Sequence, residues 1–168
     1  PDDGASGVWW ETYPSVSPDT NPDLKLVRAI LVAAQRAYHV DPNRVYFVGH
    51  SNGAFFTQLA AMTLHDRVAA WASSSGGLCA CPTRPDCTFM GSGTTCAALA
   101  RMGGWCSCGG TEHPGPINTA ARRPPAYITH GTGDDTVSVY FSCALDARLR
   151  AAGYEVETVL RDGAPHVM

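Results

Sequence analysis

Apolar residues fall into a helical period between Leu24 and Tyr38, where Leu24, Val27, Leu31, Ala34 and Tyr38 share one face. Asn21-Pro22-Asp23 precedes them with a capping amide, a proline suited to a first turn and a carboxylate that complements the helix dipole. The pattern predicts a helix from that point, closed before the Asp41-Pro42-Asn43 turn. Arg44–Val48 is a short β-branched and aromatic run without alternation, as in a strand covered on both faces. Ala54, Phe55, Leu59 and Met62 then predict a second helix over Asn52–Leu64. Val68–Ser73, Pro125–Thr129 and Tyr154–Leu160 predict three more strands. Val139–Ala152 predicts a helix that Gly153 closes.

Strands therefore alternate with helices, and the expected fold class is α/β, a parallel sheet with helices on both faces. Polar clusters follow directly after the strands, where sites in such sheets gather. Residues 1–22 read as loop apart from Trp9 and Trp10. No repeat or second domain marks the chain, so 1–168 is read as one domain. Within it, 76–124 is rich in cysteine, glycine and proline and too long for a simple connection, which makes it an insertion or lid.

Composition narrows the class. Hydrophobic residues make up 45% and charged ones 16%, as in a folded globular protein rather than a disordered one. The net charge of −3 is dispersed, and no basic run is present to neutralise phosphates, so a nucleic-acid partner is not expected. No apolar stretch approaches the roughly 18–20 residues of a membrane span. Cys79, Cys81, Cys87, Cys96, Cys106 and Cys108 crowd the insertion, and that density predicts disulfides in an oxidising, extracellular compartment. The Cys-x-Cys pairs lack the Cys-x2-Cys spacing of a zinc knuckle, so no metal is expected there. Cys143 stands apart and is expected to be free or paired outside this chain.

Gly49-His50-Ser51-Asn52-Gly53 lies between a predicted strand and a predicted helix, the context of a nucleophile elbow. Glycines are required there because side chains would collide with the neighbouring strand or helix. Ser51 is the candidate nucleophile and the Asn52 N–H a candidate oxyanion donor. A serine hydroxyl needs a base, and the base an orienting acid. The expected chain order of serine, acid and histidine is met by Ser51, Asp134 and His166. Asp134 is favoured over Asp135 because it directly follows a glycine turn. Among the other histidines, His50 is expected to project to the wrong side of the elbow. His39 and His65 sit near helix ends, His113 lies in the insertion, and His130 is expected to order the acid loop. Trp9, Trp10 and Trp105 are candidates for lining a cleft, and Trp71 for the core.

"VDPNRVYFVGHSNGA", "ITHGTGDDTV" and "GAPHVM" resemble the secreted polyhydroxybutyrate depolymerase and feruloyl esterase family of α/β-hydrolases. The resemblance covers about residues 20–75 and 125–168. It implies Ser51 as nucleophile, Asp134 as acid and His166 as base, with an ester substrate, possibly a polymer, and no cofactor. That family carries a His-Gly-type oxyanion loop upstream of the elbow strand, and no such motif precedes residue 49. The chain is accordingly expected to match the C-terminal half of the fold, with parts missing at each end and the elbow strand left with an unpaired edge. The expected function is a secreted serine esterase. A non-catalytic secreted binding module and a peptidase of the same fold are the alternatives.

Overall fold

The computed structural model describes residues 9–12, 19–77, 85–90, 96, 105–113, 115 and 117–167. In chain order the elements are α1 (Pro22–Ala37), β1 (Tyr46–His50), α2 (Asn52–Thr63), β2 (Ala70–Ser74), β3 (Cys87–Met90), β4 (Trp105–Cys108), β5 (Thr111–His113), β6 (Ala126–Gly131), α3 (Tyr140–Ala151) and β7 (Val156–Arg161). Asn21 caps α1 by accepting the N–H groups of Asp23 and Leu24 at 3.0 Å each, which satisfies donors the helix itself cannot use.

β1, β2, β6 and β7 form a sheet in that order, and every pairing is parallel. Each new strand adds on the same side of the last, so right-handed crossovers bring α2 and α3 to one face of the sheet. Register confirms which residues look that way: Phe47 pairs with Trp71, and Trp71 with Ala126. Trp71, Ala126 and Ile128 meet Ala61 and Met62 of α2, Leu145 and Leu149 of α3, and Val27 and Leu31 of α1 in one core. α2 is buried at every position from Ala54 to Met62, as its nearly continuous apolar sequence requires. The opposite face carries exposed Tyr46, Val48 and Tyr127.

Several expectations are corrected. Tyr46 and Val48 are 61% and 74% exposed, because no described element packs on that face of the sheet, where Tyr127 of the interior strand β6 is exposed as well. Tyr38 falls one residue beyond α1 and is 73% exposed rather than part of its buried face. An apolar cleft of about 260 Å³, lined by Trp10, Val27, Phe47, Val48, Gly53 and Phe56 among others, opens at the same edge. No helix of the described residues is long and apolar enough to cross a membrane.

The insertion contains a second, antiparallel sheet of β3, β4 and β5. Cys87 and Cys108 face each other across β3 and β4 and are joined by a disulfide. Cys143 is neither free nor paired outside the chain: it bonds Cys96 and ties the insertion to α3. The two are separated by 47 positions, a partnership that local spacing does not reveal. Cys79 and Cys81, like the side chains of Cys106 and Trp105, lie outside what the structure describes.

The core placement makes a contrast measurable. Ile128→Ala should destabilise the protein by about 2–5 kcal/mol, since it removes a fully buried side chain from the central sheet. Val48→Ala should change stability by no more than about 0.5 kcal/mol. Urea unfolding of both variants reads the difference, and equal effects would contradict the one-sided core.

Candidate active site

The polypeptide turns from β1 into α2 within one residue. Ser51 takes that turn with φ 55° and ψ −125°, a backbone conformation L-residues avoid at a cost of about 1–3 kcal/mol. Surrounding contacts impose it. The Ser51 N–H donates to Ser74 O at 2.9 Å, and Ala54 N–H returns to Ser51 O at 2.9 Å. A side chain on Gly49 would strike the Gly53 carbonyl and Thr57, so helix and strand approach this closely only with glycine there. Among the described residues Ser75, one residue beyond the neighbouring strand β2, is the other non-glycine residue with positive φ, at 52°. Strain is thus concentrated at two adjacent strand ends.

Asn52 opens α2, and its side chain grips the segment before α1. Its Oδ1 accepts Trp10 N–H at 2.7 Å, and its Nδ2 donates to Trp10 O at 3.2 Å. Trp10 stacks on Phe56 at 4.5 Å between ring centroids, while Trp9 is half exposed. Sequence reasoning reaches Asn52 only through its backbone N–H, because nothing in the local pattern announces a partner 42 positions away.

The second part of the site is built from the β6–α3 and β7 loops. His166 Nδ1 donates to Asp134 Oδ2 at 2.7 Å, with the Asp134 side chain wholly buried and His166 19% exposed. Glycines again make the approach possible. A Cβ on Gly131 would meet the Ala164 carbonyl, and one on Gly133 would lie 2.8 Å from Gly163 O. The two loops are stitched by Thr132 N–H to Arg161 O, Gly133 N–H to Ala164 O, and Gly163 N–H to Thr132 Oγ1. The Gly-x-Gly of "HGTGDD" is therefore a seat for the loop that bears His166.

Asp134 is saturated with donors. Its Oδ1 accepts the N–H groups of Thr136 at 2.9 Å and Val137 at 2.8 Å. Oδ2 faces His166 Nδ1 and, at 3.1 Å, His130 Nε2. Burial pushes the carboxyl upward, but hydrogen bonds from His166, Val137 and Thr136 outweigh it and hold the pKa at about 2. Asp135 is exposed and, among the described residues, meets the Thr136 hydroxyl at 3.3 Å.

His130 lies in the same cluster, fully buried, and touches Val137 O and Ser142 Oγ besides Asp134. His50 departs from its expected orientation: its ring lies 4.7 Å from that of His166, and its Nδ1 is 3.2 Å from Ser74 Oγ. The loop carrying His166 folds back over the strand ends and meets it, a path that strand alternation alone does not define. His65 meets Met62 O at the end of α2, His39 is exposed, and the His113 backbone lies in β5.

The structure thus brings Asp134 and His166 into a hydrogen bond and sets the His166 ring beside the residue preceding Ser51. Among the described residues no hydrogen bond joins Ser51 Oγ to His166, and no cluster of three or more His, Cys, Asp or Glu could hold a metal ion.

No family model matches the chain, and no curated protein matches it. Solved structures do. Arabidopsis thaliana SOBER1 aligns with a TM-score of 0.55 at 19% identity, over 91% of this chain and 59% of its own. MGS-M1, an α/β hydrolase enzyme from a Medee basin deep-sea metagenome library, aligns at 0.62 and 18%, over 91% and 52%. A CE1 ferulic acid esterase from Anaeromyces mucronatus, solved with ferulic acid, aligns at 0.57 and 18%, over 92% and 54%. The chain therefore spans between half and 60% of the length of these three structures. At such identities the likeness establishes the fold, which is α/β-hydrolase-like.

Burial is the leading cause that lowers the pKa of both His130 and His50 below 6.5. As pH falls through 6.5 the unfolded chain takes up protons that the folded chain resists, so stability should decline below that pH. Urea midpoints at pH 7.5 and 5.0 read the effect, and a higher midpoint at pH 5.0 would contradict it. Gly131→Ala should cost about 1–3 kcal/mol by pushing against the Ala164 carbonyl. Thermal unfolding of that variant close to wild type would show that the loops do not need the close approach.

Proposed function

We propose that this protein is a serine hydrolase acting on carboxylic esters, with Ser51 as nucleophile, His166 as general base and Asp134 as the orienting acid. The single observation that carries the reading is the His166–Asp134 hydrogen bond of 2.7 Å beside the strained Ser51 turn. The carboxylate fixes the proton on Nδ1, leaving Nε2 to accept the Ser51 proton as the hydroxyl oxygen attacks the ester carbonyl. The tetrahedral oxyanion would rest against the Asn52 N–H at the start of α2, where the helix dipole favours negative charge. Collapse expels the alcohol, protonated by His166, and leaves an acyl-serine. A water molecule activated by the same imidazole then releases the acid.

Ester chemistry, rather than hydrolysis in general, is suggested by the similar structures described as esterases, including the one bound to ferulic acid. Feruloyl, acetyl-polysaccharide and hydroxyalkanoate esters suit the sequence resemblance. The Cys87–Cys108 and Cys96–Cys143 disulfides fit an extracellular location.

Ser51→Ala should abolish hydrolysis of p-nitrophenyl acetate and labelling by a fluorophosphonate. Asp134→Asn should lower kcat by about 10⁴-fold, the scale on which a triad loses its imidazole orientation. Labelling that persists in Ser51→Ala would refute the nucleophile. A chain that never labels, with its fold intact by circular dichroism, would favour a binding module.

A further inference from the structure

Asp134 Oδ2, the oxygen that holds His166, has a second partner, His130, whose contacts fix where its protons sit. Nε2 lies 2.8 Å from Val137 O and 3.1 Å from Asp134 Oδ2, and both of these groups are pure acceptors. A bare Nε2 would set a lone pair against a carbonyl and a carboxylate inside a buried site. The proton must therefore sit on Nε2. The ring is wholly buried, and Nδ1 lies 2.7 Å from Ser142 Oγ, whose hydroxyl donates to Gly76 O at 2.9 Å.

The geometry points to His130 as a positioning residue for the proposed acid. This inference rests on the functional reading above and extends it. Two backbone N–H groups hold Oδ1 and His166 Nδ1–H holds Oδ2, while the His130 Nε2–H that bonds Val137 O also approaches Oδ2 at 3.1 Å. Without His130, Oδ2 loses one of its two imidazole partners, and the carboxylate can swing about the Oδ1 anchor. His166 would move with it. Ser142 lies on the first turn of α3 and bridges to Gly76, beyond β2, so one hydroxyl couples the acid loop to the strand next to the elbow.

The test compares His130→Gln with His130→Ala. Glutamine can place an amide nitrogen where Nε2 stands, and alanine cannot. For p-nitrophenyl acetate, alanine should lower kcat on the order of 10²-fold with KM little changed, as for a reacting group displaced by about 1 Å. Glutamine should recover most of that loss. An unchanged kcat in the alanine variant, or equal losses in both, would overturn the inference. Ring ¹⁵N spectra of the Ser51→Ala protein at pH 7.5 read the tautomer without needing turnover or a folded His130 variant. Protonated Nε2 is expected for the fully buried histidine, and a bare Nε2 would overturn the assignment. Failure of the wild type to hydrolyse esters would sink the functional reading, whereas the spectrum decides on its own whether His130 Nε2 carries a proton.

Discussion

The close approach of β1 and α2 at Gly49 is the constraint on which the rest of the site depends. With no side chain at that position, the helix starts immediately at the strand end and its first turn lies over the strand. Ser51 is then forced into positive φ, and its hydroxyl is held at the carboxyl edge of the sheet instead of packing beneath α2. The strain is sustained by burial elsewhere. α2 is covered from Ala54 to Met62, and loosening the turn would require withdrawing that apolar surface from its two clusters.

The same device recurs on the other side of the site, with loops in place of a helix. Gly131 and Gly133 let the segment after β7 lie directly on the segment after β6. Three hydrogen bonds and the close approach of His130 Nε2 then convert a loop carboxylate into a rigid one. Its position owes nothing to regular secondary structure. It rests on an Asx-type turn at Oδ1 and on two imidazoles at Oδ2, each arriving from a different part of the chain.

Much of this was legible in the sequence because it is local. The Asn21 cap, the glycine at 49 and the Gly153 helix end each declare themselves within a few residues, whereas a side chain at Gly53 would meet nothing nearer than Trp10 at 3.9 Å. Asp134 was separable from Asp135 by its place after the glycine turn. What escaped is nonlocal. The Cys96–Cys143 bond joins an insertion to a helix that no spacing rule connects. The His50 ring meets His166 only because a loop from the far edge strand crosses back over the sheet. Val48 reads as buried from its apolar neighbours, yet its exposure depends on whether anything covers that face of the sheet, and periodicity is silent on that.

The edge position of β1 bears on the chemistry, because the same strand carries the elbow, with exposed Tyr46 and Val48 and an apolar cleft alongside. An edge strand ordinarily tolerates twisting, because only one neighbour holds its register. Here the neighbour is β2, paired through five residues from Tyr46 to His50, and Ser51 N–H extends that ladder to Ser74 O. Asn52 adds a second hold from the open side by clasping the Trp10 backbone with both ends of its amide. The elbow is thus pinned from β2 on one flank and from residues 9–12 on the other. The geometry of the proposed nucleophile therefore depends on a side chain whose own backbone N–H is the proposed oxyanion donor, so nucleophile position and oxyanion position are set by one residue and vary together.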